Sequence, residues 1–208
     1  MKQLLLLTGP QGAGNHLWSK IFSLHPAVYG WKSLLENYWE AHRFAEPFCE
    51  HWKNHSLLET FDWSQSDYYF TSISCPLGIQ NDKWMPNISG FVQSVEQQGI
   101  NVKIVVCGRD QNILENQQSR LRNEHTTPLF MKQLLSFKSS VFLSYELLYL
   151  YKDQYLQSLD LNIPIAWDSP CIFEILKNDS NKKYVHYVEN YFLDECNKTG
   201  IPLKELPK

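Results

Sequence analysis

The amino-acid sequence predicts an α/β fold, in which a mostly parallel β-sheet is flanked by helices on both faces. Two observations carry this prediction. Short apolar runs, typical of buried parallel strands, alternate along the chain with longer segments of helical periodicity. The first of these runs passes through a glycine-rich loop directly into a helix. Alternating strands and helices indicate crossover connections, and such connections produce parallel strands.

Length and composition limit the number of domains and the classes of partner that the protein can have. The chain has 208 residues, which fits a single domain over residues 1–208, and 43% of them are hydrophobic, enough for a sizeable core. A net charge of -3 argues against a nucleic-acid partner. No apolar stretch approaches the ~18 residues of a membrane span. The five cysteines show no metal-site spacing, so we expect free thiols, no metal and a cytoplasmic location. Nothing indicates the oligomeric state.

The first third of the chain begins with an apolar strand at residues 4–8, which is closed by a glycine. A helix follows over residues 16–24, because Leu17, Ile21 and Leu24 share one face. Pro26 ends this helix, since proline disfavours helical geometry in the residue before it. A second, aromatic-rich amphipathic helix is predicted over residues 33–44.

The rest of the chain continues the alternation. Residues 57–67 are ambiguous, and residues 68–74 are rich in β-formers and end at a turn signal. The sequence VKIVVC at residues 102–107 is the clearest strand. Further strands are predicted at residues 141–144 and 163–166. Further helices are predicted at residues 86–98, 111–122, 129–137, 147–159 and 184–197.

The glycine-rich loop after the first strand has the spacing GxxxxG followed by a helix. Such a loop turns successive backbone N–H groups toward one point, and the helix N-terminus adds a partial positive charge. Together these features bind tetrahedral anions such as phosphate or sulfate. A tight turn without a ligand is the alternative. The candidate binding residues are Gln11, Gly12, Ala13, Gly14, Asn15, His16 and Leu17.

The residues after the loop depart from a nucleoside-triphosphatase P-loop. That motif continues with a lysine, which meets the β- and γ-phosphates, and a hydroxyl residue, which binds magnesium. Asn15 and His16 stand at those two positions. The sequence therefore disfavours a magnesium-dependent ATPase, a GTPase or a small-molecule kinase.

Residues 8–28, TGPQGAGNHLWSKIFSLHPAV, resemble the opening of the sulfotransferase superfamily, especially its N-sulfotransferase and carbohydrate sulfotransferase branch. That family has a strand, a loop of the type GPxKxGTT, a helix, and His-Pro at the end of the helix. The matching positions are Gly9, Pro10, Gln11, Gly14, His25 and Pro26. The resemblance implies a P-loop NTPase-like, sulfotransferase-like fold. It also implies that the loop binds the 5′-phosphosulfate of PAPS (3′-phosphoadenosine 5′-phosphosulfate) without a metal.

Two further segments resemble this family in order and spacing. Residues 102–110, VKIVVCGRD, match a strand whose arginine contacts the donor's 3′-phosphate, and Arg109 is that arginine here. A planar guanidinium suits bidentate phosphate contact, although a surface ion pair is the alternative role. The family's 3′-phosphate serine falls at Gln117, and Ser119 lies two residues further on. Residues 141–148, VFLSYELL, match the family's strand-to-helix segment.

The loop lysine of the family, which steadies the sulfuryl group and the leaving phosphate, falls at Gly12. The loss of one such electrostatic contact typically costs about 10²–10³ in rate. A protonated His16, or Lys20 or Lys32 folding back, could supply the missing charge.

Sulfuryl transfer needs a base that takes the proton of the acceptor. Counted from the His-Pro pair, Glu40 stands where the related branch has its catalytic glutamate, and Glu36 matches an earlier one. The two lie four residues apart, on one face of the helix predicted over residues 33–44. A solvated helix face is the alternative, and His16 is the second candidate for the base.

The leading expectation is thus a sulfotransferase-like enzyme that moves a sulfuryl group from PAPS to a hydroxyl or amine. Its acceptor would be a small molecule or a carbohydrate, with no nucleic-acid or membrane partner. The alternatives are a non-catalytic nucleotide- or anion-binding protein of the same fold and, less favoured, a P-loop kinase of a small molecule.

Overall fold

A computed structural model describes residues 1–79, 82–122, 125–137, 139–182 and 184 of the chain. The helix predicted over residues 184–197 lies outside these residues, apart from its first position. Within the described ranges the chain forms an α/β fold with a five-stranded sheet, and all pairings in this sheet are parallel. Helices cover both faces of the sheet. The predicted fold class is therefore confirmed at this level.

The helices and strands follow one another as alternating elements. In chain order the described strands are β1 (Gln3–Gly9), β2 (Val28–Tyr29), β3 (Tyr68–Ser74), β4 (Leu77–Ile79), β5 (Asp82–Trp84), β6 (Asn101–Gly108) and β7 (Val141–Ser144). The described helices are α1 (Asn15–Leu24), α2 (Ser33–Glu36), α3 (His42–Ala45), α4 (Cys49–Lys53), α5 (Ile88–Gln97), α6 (Gln111–Arg122), α7 (Thr127–Leu134), α8 (Tyr145–Ser158) and α9 (Pro170–Ile175). A 3₁₀ helix spans His55–Glu59, and β4 and β5 form a separate hairpin.

The order of strands in the main sheet is β2-β3-β1-β6-β7. From β1 the chain continues to β2 on one side, whereas from β6 it continues to β7 on the other. The connections therefore diverge at the carboxyl ends of β1 and β6, which are neighbours in the sheet. In open α/β sheets ligands bind in the crevice at such a switch point.

The first strand is buried on both faces, which explains its continuous apolar run. Leu5 and Leu7 pack on the side of α1, with Phe22 among their neighbours in one core cluster. Leu4 and Leu6 belong to a second cluster on the opposite face, together with side chains of α5. The glycine loop therefore follows a strand that is buried on both faces and paired on both edges.

Two predicted elements are wrong. The helix expected over residues 33–44 is broken into α2 and α3, because the backbone is extended at Asn37 (φ -117°, ψ 146°) and at Ala41 (φ -79°, ψ 121°). Glu36 and Glu40 therefore do not share a helix face. Residues 163–166 form no strand. Ile163 is buried in the core cluster on the α1 side of the sheet, so this apolar residue packs in the core without pairing with a strand.

Other predictions hold closely. The helix α6 and the strand β7 have the predicted bounds, and β3 begins and ends where the β-formers do. The described cysteines, namely Cys49, Cys75, Cys107 and Cys171, are free thiols. In the part of the chain that the structure describes, no helix has the length and apolar character needed to cross a bilayer.

Candidate functional site

The glycine loop lies at the switch point of the sheet. It follows β1 directly, and its neighbour across the sheet edge is the turn that begins at Gly108, at the end of β6. Arg109 comes next in sequence. The sheet topology therefore brings together two segments that are almost 100 residues apart, and both were predicted as parts of one anion site.

The conformation of the loop requires glycine at two positions. Gly12 has a φ of 92° and Gly14 a φ of 102°, and L-residues rarely adopt such values. A Cβ at Gly14 would also lie 3.0 Å from the ring of Tyr145. Gly14 is the N-cap residue of α1, and no side chain accepts a hydrogen bond from the helix at this cap. The N-terminus of α1 thus keeps its partial positive charge available to an anion.

The guanidinium of Arg109 lies across the loop. Its Nη1 donates to the carbonyl oxygen of Gly12 at 2.9 Å and also to Oε1 of Gln117. Its Nε donates to Oδ1 of Asn181 at 2.6 Å, and its Nη2 donates to Oγ of Ser180 at 3.0 Å. All four acceptors are neutral oxygens.

Among the described residues, no carboxylate forms a hydrogen bond or an ion pair with Arg109. Burial lowers the pKa of the guanidinium, although an arginine remains charged at any physiological pH. Its Cζ lies 4.7 Å from the ring centre of Tyr145 and 5.5 Å from that of Tyr184. A half-buried cation whose hydrogen-bond acceptors are neutral attracts an anionic ligand more strongly than one in an ion pair, although the carboxylates of Glu146 and Asp179 lie close enough to raise its pKa.

Ser180 and Asn181, from a late segment of the chain, complete the group of side chains around Arg109. Oγ of Ser180 lies 2.8 Å from the hydroxyl of Tyr145, and Nδ2 of Asn181 donates to Glu146 at 3.1 Å. The same carboxylate accepts from the backbone N–H of Asp110 at 2.9 Å. Sequence reasoning missed the roles of Ser180 and Asn181, because no motif or periodicity links them to the loop.

The residues of α6 divide into two groups. Gln117 accepts a hydrogen bond from Arg109, whereas Ser119 is exposed and its Oγ lies 3.3 Å from Nε2 of His125. Sequence reasoning missed Gln118, which is fully buried. Its Nε2 donates to the carbonyl oxygen of Gln11 at 2.6 Å, and its Oε1 accepts from the N–H of Thr126 at 2.8 Å. Gln118 therefore ties the loop to α6 and α7.

The side chains of three predicted loop residues serve the structure around the loop. Asn15 is buried, and its Nδ2 donates to Ser74 at 2.7 Å while its Oδ1 accepts from the thiol of Cys107. Ala13 is fully buried in the α1-side core, and Leu17 packs against the same cluster. Their contribution to an anion site therefore comes from the backbone, as it does for most residues of a phosphate-binding loop.

His16 is held as a neutral ring. Its Nε2 lies 2.7 Å from the carbonyl oxygen of Glu40, which can only accept, so Nε2 carries the hydrogen. Burial lowers the pKa of His16, and the ring stacks on Trp39 at a centroid distance of 5.8 Å. His16 therefore brings no positive charge to the loop near neutral pH.

Glu40 holds its own segment of the chain together. Its Oε2 accepts from Trp31 Nε1 at 2.7 Å and from Ser33 Oγ at 2.6 Å, and its Oε1 accepts from Asn37 Nδ2 at 2.9 Å. These bonds, together with the His16 contact, pin residues 31–40 beside α1. The carboxylate predicted as a base is thus engaged on both oxygens.

Neither lysine considered as a substitute for the loop lysine reaches the loop. Lys20 donates to the carbonyl oxygen of Asn37 at 2.7 Å. Lys32 donates to the carbonyl oxygens of Ser23 and His25 at 2.6 and 2.8 Å, at the far end of α1. Arg109 is thus the cation that directly contacts the loop among the predicted candidates.

No protein-family model matches this chain, and no curated protein matches it in sequence. The chemistry of the site is therefore argued from its geometry. A glycine loop, an uncapped helix N-terminus and a charged guanidinium lie together at the switch point of the sheet. This arrangement is suited to binding an anion with more than one charged group.

Proposed function

We propose that this chain binds PAPS or its product PAP at the glycine loop and Arg109, as a sulfotransferase-like protein. The observation that carries the proposal is the half-buried Arg109 guanidinium, which contacts the loop and whose hydrogen-bond partners in the described part of the chain are all neutral. The loop would take the 5′-phosphosulfate, and Arg109 with Gln117 would take the 3′-phosphate. The leading activity is transfer of the sulfuryl group to a hydroxyl or amine of a small molecule or carbohydrate.

The residues present fit such a ligand. The backbone N–H groups at the start of α1 have no side-chain acceptor. The planar guanidinium can exchange its bonds to Ser180 and Asn181 for two bonds to a phosphate. No predicted binding residue requires a metal. The free thiols of the described cysteines also support the cytoplasmic location that we propose.

A second candidate function is binding without catalysis, and two observations favour it. The position of the family's loop lysine is Gly12, whose φ of 92° disfavours any side chain. The carboxylate of Glu40 is engaged by three side chains, so its lone pairs are directed away from an acceptor. A small-molecule kinase is less favoured, because Asn15 and His16 are bonded to the protein itself.

The proposal is tested by calorimetric titration of the protein with PAP and with adenosine 5′-monophosphate, which lacks the 3′-phosphate. We expect PAP to bind at least about tenfold more tightly, since one charged phosphate–arginine contact contributes about 1.5–3 kcal/mol. Arg109→Ala should remove this preference. Lys103→Ala removes the same charge at the opposite end of β6 and should keep it.

If PAP leaves the melting temperature unchanged while ATP with magnesium raises it, the proposal is wrong. If PAP binds and no acceptor in a broad panel becomes sulfated, binding without catalysis is the function.

A further inference from the structure

A second polar cluster surrounds Glu46, in the turn between α3 and α4. Its carboxyl group is 2% exposed. Oε1 accepts from Thr71 Oγ1 at 2.8 Å and from the N–H of Ser72 at 3.3 Å, and Oε2 accepts from the N–H of Phe48 at 2.8 Å. Glutamate is rarely buried to this degree without a charged partner.

The sheet explains why a carboxyl group is placed here. The edge strand β2 pairs only with Tyr68 and Tyr69 of β3. From Phe70 onward the outer edge of β3 has no strand beside it in the described part of the chain. Glu46 accepts the Ser72 N–H that a longer β2 would have bonded. This role requires an acceptor, but it does not require a charge.

The charge of Glu46 has no bonded counterion among the described residues. All three of its donors are neutral, and the nearby cations have other partners. Arg43 lies over the ring of Phe44 at 4.5 Å, and Lys53 forms an ion pair with Glu50 at 2.7 Å. Burial consequently raises the pKa of Glu46 to about 8.

The other titratable groups around the cluster do not supply a charge either. Burial lowers the pKa of His42 to about 3, so this ring is neutral. Burial raises the pKa of Tyr29, on β2, and of Cys49, on α4, and both are therefore neutral near pH 7. The site thus holds one ionisable acid that lacks a positive partner.

A small cavity of about 10 Å³ borders this carboxyl group. Its walls include the imidazole of His42, the hydroxyl residue Ser72 and the indoles of Trp52 and Trp84. A cavity of about this size admits one water-sized group. Arg43, Cys49 and Trp84 are only half-buried, so the cavity lies close to the protein surface.

We propose that this cavity binds the ammonium group of a small primary amine, which pairs with the Glu46 carboxylate. An ammonium group is about as large as a water molecule and carries the charge that the cluster lacks. Its N–H donors match the carboxylate and one acceptor of the Ser72–His42 pair, in which Ser72 Oγ and His42 Nε2 lie 3.2 Å apart, and indole faces attract cations. Mg²⁺ and Ca²⁺ fit poorly, since they require six or more oxygen ligands. The site is separate from the anion site and does not depend on what the glycine loop binds.

The test is calorimetric titration with methylammonium chloride at constant ionic strength, with KCl as the balancing salt. We expect saturable binding at about pH 8 that weakens as the pH falls toward about 6, because protonated Glu46 cannot pair with an ammonium group. Glu46→Gln keeps the shape of the side chain and should weaken binding at least about tenfold. Glu59→Gln, an exposed change at the end of the 3₁₀ helix, should bind like the unaltered protein.

Tetramethylammonium has the same charge and is too large for a cavity of this volume, so it should not compete. The proposal is overturned if methylammonium binds no better than tetramethylammonium, or if its affinity in the unaltered protein does not change between about pH 6 and about pH 8. Equal affinity of Glu46→Gln would overturn it as well. The pH series uses only the unaltered protein and remains decisive if Glu46→Gln fails to fold. PAP affinity is expected to be unchanged in Glu46→Gln, so either proposal can fail independently.

Discussion

The buried carboxyl group of Glu46 should make the protein less stable as the pH rises above neutrality. In the folded state the pKa of Glu46 is raised to about 8, against 4.5 for a free glutamate. Between these two values the folded state binds one proton more than the unfolded state. The free energy of unfolding therefore decreases with increasing pH in this range, by about 1.4 kcal/mol per pH unit. The stabilisation that protonated Glu46 contributes is fully present below pH 4.5 and is lost as the pH rises through about 8.

Between about pH 6.5 and about pH 8, the comparison of Glu46→Gln with the unaltered protein isolates this effect. Burial also lowers the pKa of His16, His42, His51 and His55, which makes the free energy of unfolding rise with pH near pH 6.5, but this contribution is common to both proteins. Burial raises the pKa of the Cys75 and Cys107 thiols above the ordinary value of 9, so they affect stability only at higher pH. Across this range we expect a loss of roughly 1.5–2 kcal/mol from Glu46 alone.

The change to make is Glu46→Gln, because glutamine resembles the protonated carboxyl group in shape and charge. The free energy of unfolding is measured by urea denaturation, followed by tryptophan fluorescence, at a series of pH values. The curves of the two proteins should be nearly parallel below about pH 4.5 and should diverge steadily toward about pH 8, with the variant gaining. Glu59→Gln, an exposed change at the end of the 3₁₀ helix, serves as the control. A constant difference between the Glu46→Gln and unaltered proteins across the whole range would refute the argument.

Two further changes probe the candidate anion site and its support. Gly14→Ala should lower the free energy of unfolding by about 1–3 kcal/mol, measured by urea denaturation. The loss should exceed that of Gly99→Ala, since both glycines have positive φ but only Gly14 lies against Tyr145. Equal losses in the two variants would show that the contact with the Tyr145 ring does not add to the cost. Glu40→Ala removes the acceptor of three side-chain donors and should cost roughly 2–3 kcal/mol, whereas exposed Glu36→Ala should stay within about 0.5 kcal/mol. A Glu40→Ala loss no larger than that of Glu36→Ala, in the same assay, would contradict the bracing role of Glu40.

Much of the fold was predictable, because it depends on local patterns. The continuous apolar runs of β1 and β6 reflect strands buried on both faces, and α6 and β7 begin and end as predicted. The prediction of a helix over residues 33–44 failed because polar contacts outweigh the amphipathic pattern there. Residues 33–44 have an amphipathic pattern, but the bonds of the Glu40 carboxylate to Trp31, Ser33 and Asn37 hold residues 37–41 in an extended form. Such side-chain contacts cannot be inferred from the spacing of apolar residues along the sequence.

In the candidate site, too, some residues were predictable from the sequence and others were not. The glycine loop and Arg109 carry residue types and spacings that indicate anion binding, so the sequence alone indicated both. Ser180, Asn181 and Gln118 carry no such pattern, and only the fold places them at the loop and at Arg109. The sequence also gave no reason to choose Glu46, because its burial results from the shortness of β2.

The sequence by itself determined the strands β1, β3, β6 and β7, the glycine loop at the end of β1 and the arginine at the end of β6. Tertiary structure alone decided which groups are charged and available. It left Arg109 with neutral partners, engaged both oxygens of Glu40, directed Lys20 and Lys32 away from the loop and buried Glu46 without a counterion. The physical reason is that hydrogen bonds and desolvation depend on neighbours from distant parts of the chain, whereas strand and helix formation depends largely on local pattern.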